Sequence, residues 1–158
     1  MSGLKEASQR FKVAAAGVGL AVVITEHAVS SRTAAEAAAA CGCGVGAIVK
    51  SLVFRGAESG APYLLLVSGS NRVDQKGVAQ AIGEPLERPD AEFVRAVTGF
   101  AIGGIPPLGH ASAIATFIDE DLLGYAQVWA AAGTPNSVFP VAPARLAEAA
   151  RAKTIKVV

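Results

Sequence analysis

Aromatic side chains are scarce in this 158-residue chain, at 6% of residues, and charged ones are held to 17%. So few rings leave no broad platform for stacking nucleic-acid bases. Charge of either sign is also nearly absent in excess, because 14 Lys and Arg against 13 Asp and Glu leave +1. That excludes a strongly basic arm and a strongly acidic tail, so any contact with nucleic acid must come from local placement of cations. Cys41 and Cys43 are the only cysteines, and their C-x-C spacing is neither the C-x-x-C redox pattern nor half of a zinc pattern. His27 and His110 are the only histidines, and nothing in their spacing joins them to the thiols. No metal and no cofactor is therefore expected. The chain also lacks a Walker A lysine pattern, a G-x-S-x-G elbow and an H-E-x-x-H helix.

What is present is apolar and well punctuated. Hydrophobic residues make up 52%, the mean hydropathy is +0.44, and 17 Gly with 8 Pro mark many tight turns. A disordered chain is excluded, and one domain spanning residues 1–158 is expected. Lys5, Arg10 and Lys12 before the apolar run Val13 to Ile24 imitate the start of a signal peptide. Glu6 and Gln9 interrupt that charged part, and Thr25-Glu26-His27 stands where a small-residue cleavage site belongs. The run is also shorter than the about 20 residues that span a bilayer. A cytoplasmic protein without membrane contact is expected.

Leu4, Ala7, Phe11, Ala14 and Val18 keep a three-and-four spacing, which predicts a helix over 4–16, followed by a strand over 20–25. Thr33 and Glu36 have capping-box spacing before an alanine-rich helix that Gly42 closes after Cys41. Strands are predicted over 47–55 and 63–68 as a hairpin, then helices over 73–82 and 90–97. A loop-rich stretch over 98–110 leads to strands at about 113–118, 125–130 and 137–141, a helix over 143–152 and a last strand over 154–158. Helices and strands alternate irregularly, so the expected fold is mixed α/β (α+β) with a mixed sheet, not a doubly wound parallel one. Gly42, Gly44 and Gly46 follow a helix and precede a strand, the reverse of a dinucleotide loop. Asp119-Glu120-Asp121 reads as a solvated helix start.

Three places carry chemistry. Lys50 lies within Ala47 to Phe54, a strand apolar on both faces, so its ammonium either reaches water at the sheet edge or lines a cavity. In a cavity it is able to fix a carbonyl or phosphate oxygen. Gly99 to His110 sets Gly103-Gly104 before Pro106-Pro107, a freely placed backbone followed by a rigid one. Such a segment is either a structural turn or a presenter of N–H groups to a ligand oxygen. Ala132 to Ser137, with Gly133 and Thr134, is either a polar hairpin turn or a second wall. His110 follows Gly109 closely enough to approach the Gly-Pro loop. Arg145, Arg151, Lys153 and Lys156, with Arg55, Arg72 and Lys76 added, form either a solvated surface or a modest phosphate-contacting strip.

Ile48-Val-Lys50-Ser51-Leu-Val, Thr98 to Gly109 and Trp129-Ala-Ala-Ala-Gly133, in that order and spacing, resemble the YbaK/ProX family over nearly the whole chain. Its members are free-standing relatives of the editing domain of bacterial prolyl-tRNA synthetases. The resemblance implies a YbaK-like fold, a mixed sheet partly curled into a barrel and flanked by helices. It also implies hydrolysis of the ester that joins a wrong amino acid to tRNA. Lys50 falls where the family has its essential lysine, and Ser51 where it has a small polar residue facing the pocket. Gly103, Gly104, Ile105 and Pro106 fall in the loop that holds the substrate near its carbonyl and terminal adenosine; as a mechanistic expectation beside the resemblance, the N–H groups of Gly103 and Gly104 are the oxyanion donors. Thr25, His27, Gly133 and Thr134 fall where the family contacts substrate. The Cys-tRNA(Pro) deacylase branch has Tyr at the position of Thr25, and Ser and Asp where this chain has Ala131 and Val138. Alanine, serine or another small residue is thus as compatible as cysteine. The partners implied are mischarged tRNA and prolyl-tRNA synthetase. A non-catalytic tRNA-binding module of the same fold and a thiol enzyme using Cys41 or Cys43 remain as alternatives.

Overall fold

In the computed structural model, which describes residues 5–158, β-strand burial explains most of the architecture. Strand β2 (Val49–Gly56) and strand β3 (Pro62–Ser68) pair antiparallel, with Lys50 opposite Val67 and Ser51 opposite Leu66. Alternate side chains of β3 enter different cores: Leu64 and Leu66 join one, Leu65 and Val67 the other. A strand with both faces covered reads as a continuous apolar run, as this one does. Strand β2 divides likewise, Val49 and Val53 to the first core, Leu52 and Phe54 to the second. Ser51 therefore shares the face of the first core and Lys50 that of the second.

The chain order begins with helix α1 (Glu6–Gly17), strand β1 (Thr25–Glu26) and helix α2 (Ala34–Cys41), which precede β2. After β3 come helix α3 (Gln75–Ile82), strand β4 (Leu86–Glu87), helix α4 (Ala91–Thr98) and strand β5 (Ala115–Asp119). Strands β6 (Val128–Ala131) and β7 (Ser137–Val141), helix α5 (Pro143–Ala149) and strand β8 (Lys153–Ile155) complete it. One sheet has the order β4-β2-β3-β5-β8, antiparallel through β3 and parallel from β3 to β8. The other is antiparallel, β1-β7-β6. The expected mixed α/β fold is present, with its sheet divided in two and bridged where Ile48 meets Trp129. Phe11 and Ala15 of α1 close the first core against Phe139, whose ring centroid lies 4.9 Å from that of Phe11.

Several boundaries differ from expectation for local reasons. Leu20 and Val22 are buried and alternate with exposed neighbours, yet of the expected 20–25 strand only Thr25 pairs with β7, joined by Glu26 just beyond it. The extended segment before them packs without a ladder. Glu120–Gly124 is a 3-10 turn and its leading residue Asp119 is fully buried, so the acidic triplet is not a solvated helix start. Leu4 of the expected first helix lies outside the described residues. Thr33 and Glu36 cap α2 reciprocally, and Gly42 ends it at φ +71°, as the spacing requires.

Candidate active site

The seam between the two sheets opens into a cavity of about 290 Å³. Its floor is β2 from Ile48 to Leu52, including Lys50 and Ser51. Trp129, Ala130 and Ala131 of β6 and Ser137 and Val138 of β7 form one wall. Ile102, Gly103 and Ile105 of the Gly-Pro loop, with Pro135, form another. Ser31, Arg32, Thr33 and the first turns of α2 stand at the remaining side. Among the described residues that line it there is no carboxylate, imidazole or thiol.

Lys50 donates from Nζ to the backbone oxygen of Asn71 at 2.6 Å. Asn71 is itself clamped, since its Nδ2 donates to Asp119 Oδ2 and Asp121 Oδ2, both at 2.8 Å. The buried Asp119 also accepts from the Ser68 N–H at 3.0 Å and the Asp121 N–H at 2.9 Å, which satisfies its carboxylate. Sequence reasoning missed this support, because nothing in the spacing of Asn71 and Asp119 reveals that β3 and β5 bring them together. Desolvation and the neighbouring Arg72 guanidinium lower the Lys50 pKa from its ordinary value, with Asp119 opposing them. Ser51 contributes a different signal: its buried hydroxyl has no hydrogen-bond partner among the described residues.

The Gly-Pro loop is held from behind. His110 Nε2 donates to the Pro106 carbonyl at 2.7 Å, and Arg10 of α1 donates to Gly99 O at 3.0 Å while stacking 4.7 Å over Phe100. Burial lowers the His110 pKa against the raising effect of its Pro106 hydrogen bond, and the residue anchors the loop from a different cavity, without lining this one. Gly103 lines the cavity at φ +95°. Gly104, expected as an oxyanion donor, instead donates its N–H to Ala101 O at 3.1 Å. Its missing side chain has a packing reason, since a Cβ there falls 2.7 Å from Thr134 Cα. Ile105 lines the cavity, whereas Pro106 is buried behind it.

The remaining expected contacts shape walls and do not line the cavity. Gly133, at φ +108°, passes α1 so closely that a Cβ meets the Ala7 carbonyl at 2.8 Å. The Thr134 hydroxyl lies 2.7 Å from Ser137 Oγ, fixing the turn that places Pro135 and Ser137 at the cavity. Thr25 pairs with Val138, and His27 is pinned through its backbone by Asn136. The His27 ring lies 4.0 Å from Cys41 Sγ. Burial, with Cys43 alongside, pushes the Cys41 thiol up to about 11, and burial raises Cys43 too. Both thiols are thus protonated near neutrality, the opposite of an activated nucleophile. The expected cationic strip is also divided, with Arg145 and Arg151 beside another cavity, Arg55 3.7 Å from Glu87, and Arg72 near Lys50. No helix among the described residues is long and apolar enough to cross a membrane.

Residues 28–149 match the family described as the aminoacyl-tRNA editing domain. A crystal structure of a candidate trans-editing enzyme for prolyl tRNA synthetase superposes with a TM-score of 0.93 at 45% identity, covering 98% of both chains. YwhH of Bacillus subtilis (strain 168), itself uncharacterised, is 32% identical over 79% of each chain. EbsC of Enterococcus faecalis (strain ATCC 700802 / V583), a candidate Cys-tRNA(Pro)/Cys-tRNA(Cys) deacylase, is 29% identical over 62% of this chain and 60% of its own. A lysine in the floor of a seam pocket, a braced Gly-Pro loop and these likenesses have one common source: the chain belongs to the aminoacyl-tRNA editing domain family, and its class of activity is aminoacyl-tRNA deacylation.

Proposed function

We propose that this protein, read as one editing domain over residues 1–158, acts in trans on mischarged tRNA(Pro). It hydrolyses the ester of a small non-cognate residue such as alanine, cysteine or serine. The observation that carries this reading is the small seam cavity itself, where Lys50 lies in the floor, Ser51 presents a hydroxyl unpartnered among the described residues, and Ala130, Ala131 and Val138 keep the walls short. An aminoacyl ester is already reactive, so the site needs to select, orient and stabilise charge more than to supply a nucleophile. Lys50 orients the ester by its carbonyl or neighbouring phosphate. The Gly103 N–H, which has no acceptor among the described residues, is the backbone donor for the developing oxyanion. Water adds to the carbonyl carbon, the bond to the ribose oxygen breaks, and that oxygen takes a proton. When cysteine is the amino acid, its own sulfur adds to the carbonyl carbon in place of water, the ribose oxygen leaves with the thiol proton, and water then opens the resulting thiolactone. Losing one such donor costs about 3 kcal/mol of barrier, or two orders of magnitude in rate.

Substrate of this kind implies a cytoplasmic setting and prolyl-tRNA synthetase as the partner that releases it. Hydrolysis of Ala-, Cys-, Ser- and Pro-tRNA(Pro) by wild type and Lys50→Ala tests the reading. One mischarged species is expected to be lost rapidly, Pro-tRNA(Pro) to be spared, and the variant to retain less than a third of the rate. Lysine-independent hydrolysis removes Lys50 from the mechanism, and binding without hydrolysis of any charged tRNA leaves a binding module.

A further inference from the structure

Beside the seam cavity lies a second one, of about 410 Å³, that shares Lys50 and Leu52 with it. The rest of its lining is the turn Gly69 to Val73, carrying Arg72, and Arg88 from the segment after β4. Three cations thus converge on one concavity in a chain whose net charge is only +1. Their charge is only partly offset locally, by Asp119 acting on Lys50. Arg72 and Arg88 form no ion pair among the described residues, and Arg72 acts on Lys50 as a like charge strong enough to lower its pKa. The nearby carboxylates of Asp119 and Asp121 are turned to Asn71 and the backbone. Arg88 lies 5.6 Å over the Phe54 ring, which supports its stem on the same β2 face as Lys50 and Leu52. Exposed arginines at the rim and a half-buried lysine where the cavities meet make a path of positive charge that ends at the ester pocket.

From this arrangement we infer that the second cavity seats the phosphodiester backbone of the single-stranded 3′ end of the RNA. Arg72 and Arg88 hold successive phosphates, and the chain turns past Lys50 so that only the terminal aminoacyl-ribose enters the seam. The inference rests on the proposed deacylase reading and adds where the nucleic acid runs. Like-charge crowding explains the placement: two arginines without an ion-pair partner among the described residues, beside a lysine that Asp119 only partly offsets, are completed by an anion that bridges them, and a phosphate chain presents one at each step. The guanidinium fork fits phosphate oxygens better than a second lysine does.

The test compares two substrates that share an ester and differ in phosphate. One is the charged tRNA and the other is the same amino acid esterified to adenosine, which has no phosphate. Arg72→Gln with Arg88→Gln is expected to lower kcat/KM on tRNA at least tenfold more than on aminoacyl-adenosine, chiefly through KM. At about 0.7 counterions per single-strand contact, removing two contacts flattens the salt slope by about 1.4. Raising salt from about 50 to 200 mM therefore weakens the wild type about sevenfold more than the double variant. The Arg72→Lys, Arg88→Lys pair is expected to restore part of the loss. Equal losses on both substrates, or an unchanged salt slope, overturn the inference. Fluorescence anisotropy with an uncharged RNA hairpin ending in single-stranded CCA supplies a second readout independent of catalysis. If the wild type hydrolyses neither ester, the deacylase reading falls, while arginine-dependent hairpin binding still sustains the groove and arginine-independent binding overturns it. Binding of free ATP with that arginine dependence, where the hairpin does not bind, overturns it in favour of a nucleotide site.

Discussion

Ser51 is the residue at which folding and function pull apart most visibly. A buried hydroxyl without a partner costs about 1–3 kcal/mol, a burden that an enzyme interior tolerates where substrate completes the bond. Ser51→Ala is therefore expected to leave the melting temperature unchanged or raised while lowering kcat/KM. Thermal unfolding and single-turnover deacylation of the same preparation decide it, and a variant both less stable and fully active refutes the role. Lys50 gives a second expectation through pH. Its native pKa is lowered by desolvation and by Arg72, so the ammonium that orients substrate is lost at a lower pH than in a free lysine. The background-corrected kcat/KM should fall on an alkaline limb below the ordinary lysine range. Arg72→Gln should move that limb up, and Lys50→Arg should abolish it. The same shift has the opposite sign for stability. Between the native and unfolded pKa values the unfolded chain binds the extra proton, so this group's contribution to stability grows as pH rises through that window.

At the scale of elements, the site depends on two turns that no one strand contains. The turn after β3 carries Asn71 to Lys50, and the 3-10 turn after β5 carries Asp121 to Asn71, with Asp119 between them. Asn71→Ala removes the amide that both carboxylates hold and leaves the carbonyl that receives Lys50 free to drift. A tenfold or greater fall in kcat with a smaller change in KM is expected, with partial rescue by Asn71→Gln; equal changes in both constants point to general loosening instead. A β2 apolar on both faces made Lys50 conspicuous, and Thr33, Glu36 and Gly42 announced α2 with its boundaries nearly correct. Asn71 was not legible, because its importance arises from the parallel pairing of β3 with β5, a contact between residues about 50 positions apart. Gly103 and Gly104 were legible as a pair but not as different parts. Only the fold shows one lining the cavity and the other pressed on Thr134. The 20–25 segment misleads for a related reason: alternation reports burial, and Leu20 and Val22 are buried without a strand partner.

For the whole molecule, the decisive feature is that the pocket lies in the seam of two sheets that meet through the Ile48–Trp129 bridge. Lys50 and Ser51 belong to one sheet, Ala130 and Val138 to the other, so any ligand filling the cavity links both. Ligand bound to the native state alone stabilises it by about 2.7 kcal/mol at a hundredfold excess over Kd. A non-hydrolysable amide analogue of aminoacyl-adenosine, at that excess, is thus expected to raise the unfolding free energy by this amount. The gain should not be uniform along the chain. Amides of β3, buried on both faces, exchange only through global opening and should follow the global change. Amides of β6 and of the Gly-Pro loop open through the seam and should gain protection beyond it. Hydrogen exchange with and without the analogue separates the two classes. Protection confined to Arg145 and Arg151, which line the cavity beside α5, would place the ligand elsewhere and overturn the seam as the site of ester binding. Protection on both sides of the seam, lost together in Lys50→Ala, would show that one ligand joins the sheets through the lysine that the β2 pattern first singles out.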